Sequence, residues 1–187
     1  MTGFVWPLPS ADVVGDLPGG AVLRLRAPVD TDLEGLVVSG RDAGSRRFTG
    51  FPENYTRRDA ALFLRTMMHD PGAMLWIVDD PDRQGGFGGT VELRLVELNS
   101  ATVELGYTTA PHLRGRGLMT ASVRLICEYL FDYGVHRVQI RANPENLASC
   151  KVALSAGFHR EGTLRDAEFL RGEWNDLDIF SRLEGDV

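Results

Sequence analysis

Two glycines and two arginines stand together in Arg114-Gly115-Arg116-Gly117-Leu118-Met119. Glycine lets a backbone turn sharply, and the first amides of a helix have no intrahelical acceptor. A loop of this composition that enters a helix can therefore aim N–H groups at phosphate oxygens. The flanking segments meet that condition. Ala101–Thr109 has the alternation and β-branched content of a strand, and Leu118–Phe131 carries apolar residues at helical spacing without Pro or Gly. The chemistry this predicts is capture of a pyrophosphate-bearing cofactor. Arg114, Arg116 and the backbone of Gly115, Gly117, Leu118, Met119 and Thr120 are its expected contacts.

Other reactive side chains form no comparable group. His69, His112, His136 and His159 share no spacing, so no metal site is expected. Cys127 and Cys150 fall in predicted helices without metal-ligand spacing and read as free thiols of a reducing cytoplasm. Nothing in the sequence places a base beside Cys150 to make it a nucleophile.

Composition narrows the partners. At 187 residues the chain suits one domain with a full core, preceded by extra N-terminal sequence. A net charge of −6 argues against broad nucleic-acid binding. No apolar run approaches the roughly 20 residues that span a bilayer, so no membrane partner is expected. No basic start followed by an apolar block marks a signal peptide, which again points to the cytoplasm. A monomer and a homodimer fit equally.

The elements that must position the glycine loop follow from periodicity. Residues 1–19, with three prolines and three glycines, read as a loosely ordered arm that Trp6 can anchor, and residues 20–187 as the domain. Ala21–Arg26 is the first strand, and Thr31 to about Ser39 a short helix with Asp32 and Glu34 at its positive end. Gly40–Tyr55 reads as a loop or broken helix. Thr56 with Asp59 is a short-armed capping box starting a helix to about His69. Ala73–Val78, Gly86–Val96 and Ala101–Thr109 form an antiparallel meander. After the glycine loop and its helix come a strand at Arg137–Arg141 and a helix from about Leu147 to Ser155, closed by Gly157. Two strands follow, Phe158–Phe169 and Trp174–Leu183. The order β-α-α-β-β-β-α-β-α-β-β gives an α/β (α+β) chain: a central mixed, mostly antiparallel sheet of about seven strands with about four helices on its faces.

That order, with the loop in that place, resembles the GNAT acyltransferases over residues 21–184. In this family an Arg/Gln-x-x-Gly-x-Gly/Ala loop binds the pyrophosphate of acyl-CoA; Arg114 and Gly117 match, and Met119 replaces the small final residue. Three further features resemble the RimJ/RimL-type branch. Pro111 precedes Arg114 by three residues, Asn143-x-x-Asn146-x-x-Ser149 leads to Gly157-Phe158, and Glu161-Gly162-Thr163-Leu164-Arg165-Asp166-Ala167-Glu168-Phe169-Leu170 looks like a strand of the branch. A Rossmann-type dinucleotide fold would want its glycine loop after the first strand, whereas this one follows the fourth.

The resemblance implies acetyl-CoA as cofactor, CoA as product, and a sheet splayed at the acyl-CoA site. Backbone amides near Tyr107, Thr108 and Thr109 would then face the acetyl group and pantetheine arm as fixed donors. Asn143 and Asn146 are implied contacts of the pantetheine side. Ser149 is implied as the acid for the departing thiolate and as a cofactor contact. Glu168 is implied as the base or acceptor-binding group, with Glu104 a rival on the strand before the loop. Their plain alternatives are turn and cap chemistry for the asparagines, a helix-face serine, and a Glu168 ion pair with Arg165 or Arg171. Phe48, Phe51 and Tyr55 are expected to line the acceptor pocket, with covering the core the alternative for Phe48 and Phe51.

The expected function is acetyl transfer from acetyl-CoA to a primary amine, of the protein or peptide N-terminal kind, by direct transfer. A small-amine acceptor (an antibiotic, polyamine or amino-acid derivative), another acyl group such as succinyl, and a non-catalytic acyl-CoA-binding regulator stay open.

Overall fold

The computed structural model describes residues 4–186. Eight strands form one mixed sheet in the order β1-β2-β3-β4-β5-β6-β8-β7. They are β1 (Val13–Asp16), β2 (Val22–Arg26), β3 (Ala73–Asp79), β4 (Phe87–Glu97), β5 (Thr102–Thr109), β6 (Arg137–Ala142), β7 (His159–Leu170) and β8 (Glu173–Leu183). The helices are α1 (Asp32–Arg41), α2 (Ala43–Arg47), α3 (Arg57–His69), α4 (Leu118–Asp132) and α5 (Leu147–Ser155). Every neighbouring pair is antiparallel except β5 with β6.

The strand and helix counts each exceed the expectation by one among the described residues. The added strand is β1, inside the arm read as loosely ordered. Four residues are too few to show a period, and what orders them is tertiary. β1 pairs with β2, Leu8 and Val13 are buried, and the Trp6 indole donates to Pro71 O at 2.7 Å. The Trp76 indole and Tyr129 hydroxyl donate to the backbone of Ala11 and Pro9. The added helix, α2, lies in the Gly/Arg-rich stretch and is started by Asp42, whose carboxylate accepts the Ser45 amide at 2.8 Å. The capping box at Thr56 and Asp59 is formed as its spacing predicts.

Strand alternation sorts the sheet into two faces. Trp76, Val91, Leu93, Val103 and Leu105 pack with the buried stripe of α4, which includes Leu118, Val123, Ile126 and Leu130. On the other face Leu75 and Phe87 pack with Leu33, Leu36, Val37, Ala60 and Leu64 of α1 and α3. Each such aliphatic side chain contributes about 1.5–3 kcal/mol on full burial. Tyr55 belongs to this second core, so it covers the core and does not line a pocket.

At the first strand, Arg26 is buried and bonds both carboxylate oxygens of buried Asp32 at 2.8 Å, with Asp79 at 2.5 Å. These charges raise the guanidinium pKa, led by the Asp32 bond. Asp32 thus locks α1 to the sheet, beyond any favourable interaction with a helix dipole.

Candidate active site

The site begins where β5 and β6 part. Their parallel pairing runs only from Thr102↔Arg137 to Glu104↔Gln139. Beyond it β6 continues along β8 to Ala142, while β5 continues along β4 to Thr109. The β5 edge from Leu105 to Thr109 that faces β6 therefore has no strand partner, as the splay requires.

Two clefts meet at this gap. One, about 1110 Å³, lies on the α4 side and is lined by Tyr107, Thr108, Thr109, Arg114, Gly115, Gly117, Leu118, Met119, Thr120, Asn146 and Ser149, among others. The other, about 490 Å³, opens on the α1/α3 face and takes in Glu104, Asn143 and Glu168. Tyr107, Thr108, Asn146 and Ser149 line both. Arg116 lines neither, and Asn143 and Glu104 belong to the second alone.

The glycine loop has the geometry of an anion cradle. Gly115 and Gly117 hold φ of +73° and +81°, with open space where a side chain would stand. Gly117 caps α4 without a side-chain bond, and the helix's first bond runs from Ala121 N to Gly117 O at 3.0 Å. The amides of Leu118, Met119 and Thr120 therefore have no intrahelical acceptor and meet the wall of the larger cleft. Leu118 and Met119 are buried as side chains, so their part in the cradle is backbone alone. This set of amides fits the pyrophosphate of a CoA ester.

Both loop arginines are engaged in ion pairs. Arg114 donates to Asp42 at 2.6 Å and to the Ser45 hydroxyl at 2.8 Å, tying the loop to α2. Its guanidinium holds the Asp42 carboxyl below the usual carboxylate range. Arg116 pairs with Asp82 at 2.5 Å and lines neither cleft. The basic side chains that sequence reasoning missed on the larger cleft are Arg124 and Lys151. They lie on α4 and α5, and helical periodicity alone does not rank one exposed cation above another.

Across the gap, Asn146 starts α5 by accepting the Ser149 amide at 3.2 Å. Ser149 Oγ donates to Tyr107 OH at 3.0 Å, and Tyr107 OH donates to Ser149 O at 2.9 Å. Burial raises the Tyr107 phenol, so it keeps its proton. Asn143 accepts the Glu145 amide and donates to Asn175, binding the turn before α5 to β8. The Cys150 thiol points to Asn143 O at 3.7 Å, and burial pushes it up, away from thiolate.

The carboxylates of the second cleft differ in what holds them. Glu104 accepts from Arg141 at 2.6 and 2.8 Å and from Gln139 at 2.9 Å. Those donors engage both its oxygens and anchor Arg141. Glu168 lines the cleft half-buried and joins none of the ion pairs among the described residues, though the charge of Arg141 reaches it. Arg171, which the sequence offered as its partner, instead donates to the carbonyls of Arg46, Thr49 and Phe51. Phe48, Phe51 and Phe63 form the apolar wall. Glu92, on β4, was missed. Its one sequence signal is a carboxylate between Val91 and Leu93, both fully buried.

Comparison with known proteins agrees with this architecture. A family model described as an acetyltransferase (GNAT) domain matches residues 23–159. A probable N-acetyltransferase of Bacillus subtilis, YjcK, is 35% identical over 100 residues, 52% of this chain and 55% of the relative. The ribosomal-protein-serine acetyltransferase of Escherichia coli is 28% identical over 96 residues, 51% of this chain and 54% of its own. The chain thus spans about half the length of the curated relatives it matches. Among solved structures, RimL, a ribosomal α-N-protein acetyltransferase in complex with coenzyme A, superposes with a TM-score of 0.77. It is 22% identical, with 90% of this chain and 98% of that one covered. At that identity the likeness speaks for the fold.

Proposed function

Because the chain belongs to the GNAT acetyltransferase family, we propose that it is an acetyl-CoA-dependent N-acetyltransferase acting on the α-amine of a protein or peptide N-terminus. The observation that carries the reading is the meeting of two clefts at the β5–β6 splay. An anion cradle walls one, and Glu168, in no ion pair among the described residues, lines the other.

Bound acetyl-CoA would supply an activated acetyl carbonyl and a thiol leaving group. The amides of residues 115 and 117–120 hold its pyrophosphate, and the unpaired edge of β5 offers fixed N–H donors along the gap. Ser149, held at the junction by Asn146 and Tyr107, presents a hydroxyl that lines both clefts for protonating the departing sulfur. Glu168 meets the acceptor ammonium. Glu104 keeps Arg141 in place and so shapes the cleft's charge. Direct transfer needs no enzyme nucleophile, in keeping with a Cys150 thiol held neutral.

The N-terminal acceptor rests on the Ala167-Glu168-Phe169-Leu170 segment and on the acetyltransferases of ribosomal proteins among the similar proteins. The test is a panel of serine- and alanine-initiated peptides and small amines incubated with acetyl-CoA, read by free thiol. Peptide acetylation at the α-amine is expected. Thiol release with a polyamine or amino-acid amide alone would move the acceptor to the small-amine class. Silence across the panel, with tight acetyl-CoA binding by calorimetry, would favour a regulator.

A further inference from the structure

Glu92 sits on β4 directly across from Gly106, whose missing side chain leaves room beside it; a Cβ there would lie 3.9 Å from Glu92 Cβ. It lines the acceptor cleft from the sheet floor. Among the described residues no arginine binds it. Its bond is from the Thr90 hydroxyl at 3.3 Å, and Thr90, fully buried, lies 2.8 Å from the Thr108 hydroxyl in the facing register position. Thr108 lines both clefts, so a line of oxygens runs from the Glu92 carboxylate to the junction where acyl donor and amine would meet.

We propose that Glu92 takes the proton from the acceptor ammonium, the Thr90 hydroxyl holding its carboxylate toward the cleft. This rests on the N-acetyltransferase reading and adds a catalytic residue to it. An ammonium N–H bond breaks, its electron pair stays on nitrogen, and an O–H bond forms on the Glu92 carboxylate; the neutral amine is then nucleophilic.

The three cleft carboxylates divide the work on physical grounds. Glu104 is occupied by Arg141 and Gln139. Glu168 lines the cleft in no ion pair among the described residues, which suits attraction of a cation. Glu92 is desolvated, which raises its carboxyl, against smaller lowering by the Arg94 charge and the Thr90 bond. A base works best when its pKa approaches the operating pH. The groups lining this part of the cleft are Arg94 on β4, Glu104 on β5, Arg141 on β6 and Glu168 on β7, and Tyr55, before α3, lies in the adjoining core within reach of the Glu92 charge. The Tyr55 hydroxyl is buried without a hydrogen bond among the described residues, and burial, then the charges of Asp59 and Glu92, raise it to about 12.

The experiment compares wild type, Glu92→Gln, Glu92→Asp and Thr90→Val with acetyl-CoA and whichever of an alanine-initiated peptide, a serine-initiated peptide or spermidine turns over fastest. Glu92→Gln should cut kcat about 100-fold, abolish the acid limb of the pH profile, and leave acetyl-CoA affinity unchanged. Glu92→Asp should restore part of the rate. Thr90→Val removes a bond to the charged form, so the acid limb should move up in pH. Wild-type kcat in Glu92→Gln overturns the assignment, and so does a slower variant with its acid limb intact. If Glu92→Gln does not fold, an unmoved limb in Thr90→Val overturns it. A wild type silent with all three probes brings down the acetyltransferase reading with it, whereas an active wild type confines the failure to Glu92.

Discussion

Ser149 and Tyr107 hold each other across the gap: the serine hydroxyl donates to the phenol at 3.0 Å, and the phenol donates to the serine carbonyl at 2.9 Å. The pair ties the start of α5 to the part of β5 that has parted from β6, so the junction of the two clefts is bonded from both walls. The resting serine proton points at Tyr107, and using it on a departing sulfur requires that hydroxyl to rotate. Ser149→Ala should lower kcat about 100-fold at saturating substrates if the hydroxyl is the acid. Tyr107→Phe should cost about 1 kcal/mol of stability and affect kcat less. Stopped assays and thermal melts on both variants check this; a larger kcat loss in Tyr107→Phe would transfer the acid role to the phenol.

Gly117 joins positive φ to an open space at the mouth of α4. Gly117→Val should lose about 1–2 kcal/mol of stability to backbone strain. It should weaken acetyl-CoA binding at least tenfold, because the branched side chain enters the space the phosphates need. Calorimetry with acetyl-CoA measures this, and unchanged affinity in a folded variant would remove the cradle.

Glu168 and Glu104 should fail differently. Glu168→Gln removes a cation-attracting carboxylate and should raise the acceptor KM about tenfold or more, a loss of at least about 1.4 kcal/mol. Glu104→Gln leaves Arg141 without its bidentate partner, and the freed cation should repel the acceptor ammonium. Double variants with Arg141→Met distinguish the two: the methionine should rescue Glu104→Gln and not Glu168→Gln.

Acid should weaken the β6–β7–β8 region through Glu161. Arg137, then the Ser181 hydroxyl, hold its carboxyl down at about 2 against an ordinary 4.5. A depressed acid stabilises the fold fully above pH 4.5, and that contribution fades as pH falls toward 2. The pair is partly exposed, so its worth is about 1 kcal/mol or less. Glu161→Gln should lower Tm at pH 7, and the difference from wild type should shrink between pH 4.5 and 2. A constant difference over that range would remove Glu161 as the titrating group.

Periodicity made the meander, the long helix of the glycine loop and α5 legible, because each spans enough residues for its pattern to repeat. Leu147–Ser155 is helical with the bounds its sequence suggests. β1 was not legible: Val13–Asp16 is a strand because β2 offers a ladder and Leu8 and Trp6 find seats on the body of the fold. Glu92 escaped for a related reason. Alternation puts it opposite Val91 and Leu93, but only the assembled sheet makes that face the floor of a cleft.

The chain by itself determined its fold, its family resemblance and the backbone cradle, since these depend on local φ preferences, helix starts and hydrophobic period. Tertiary structure decided where the charges went. Arg114 and Arg116, the obvious phosphate ligands in one dimension, are drawn to Asp42 and Asp82. Glu104 is drawn to Arg141, and Glu168 is left without an ion pair among the described residues. Ion pairing acts through space over a few ångströms, and the Arg114–Asp42 partners lie 72 residues apart in the chain.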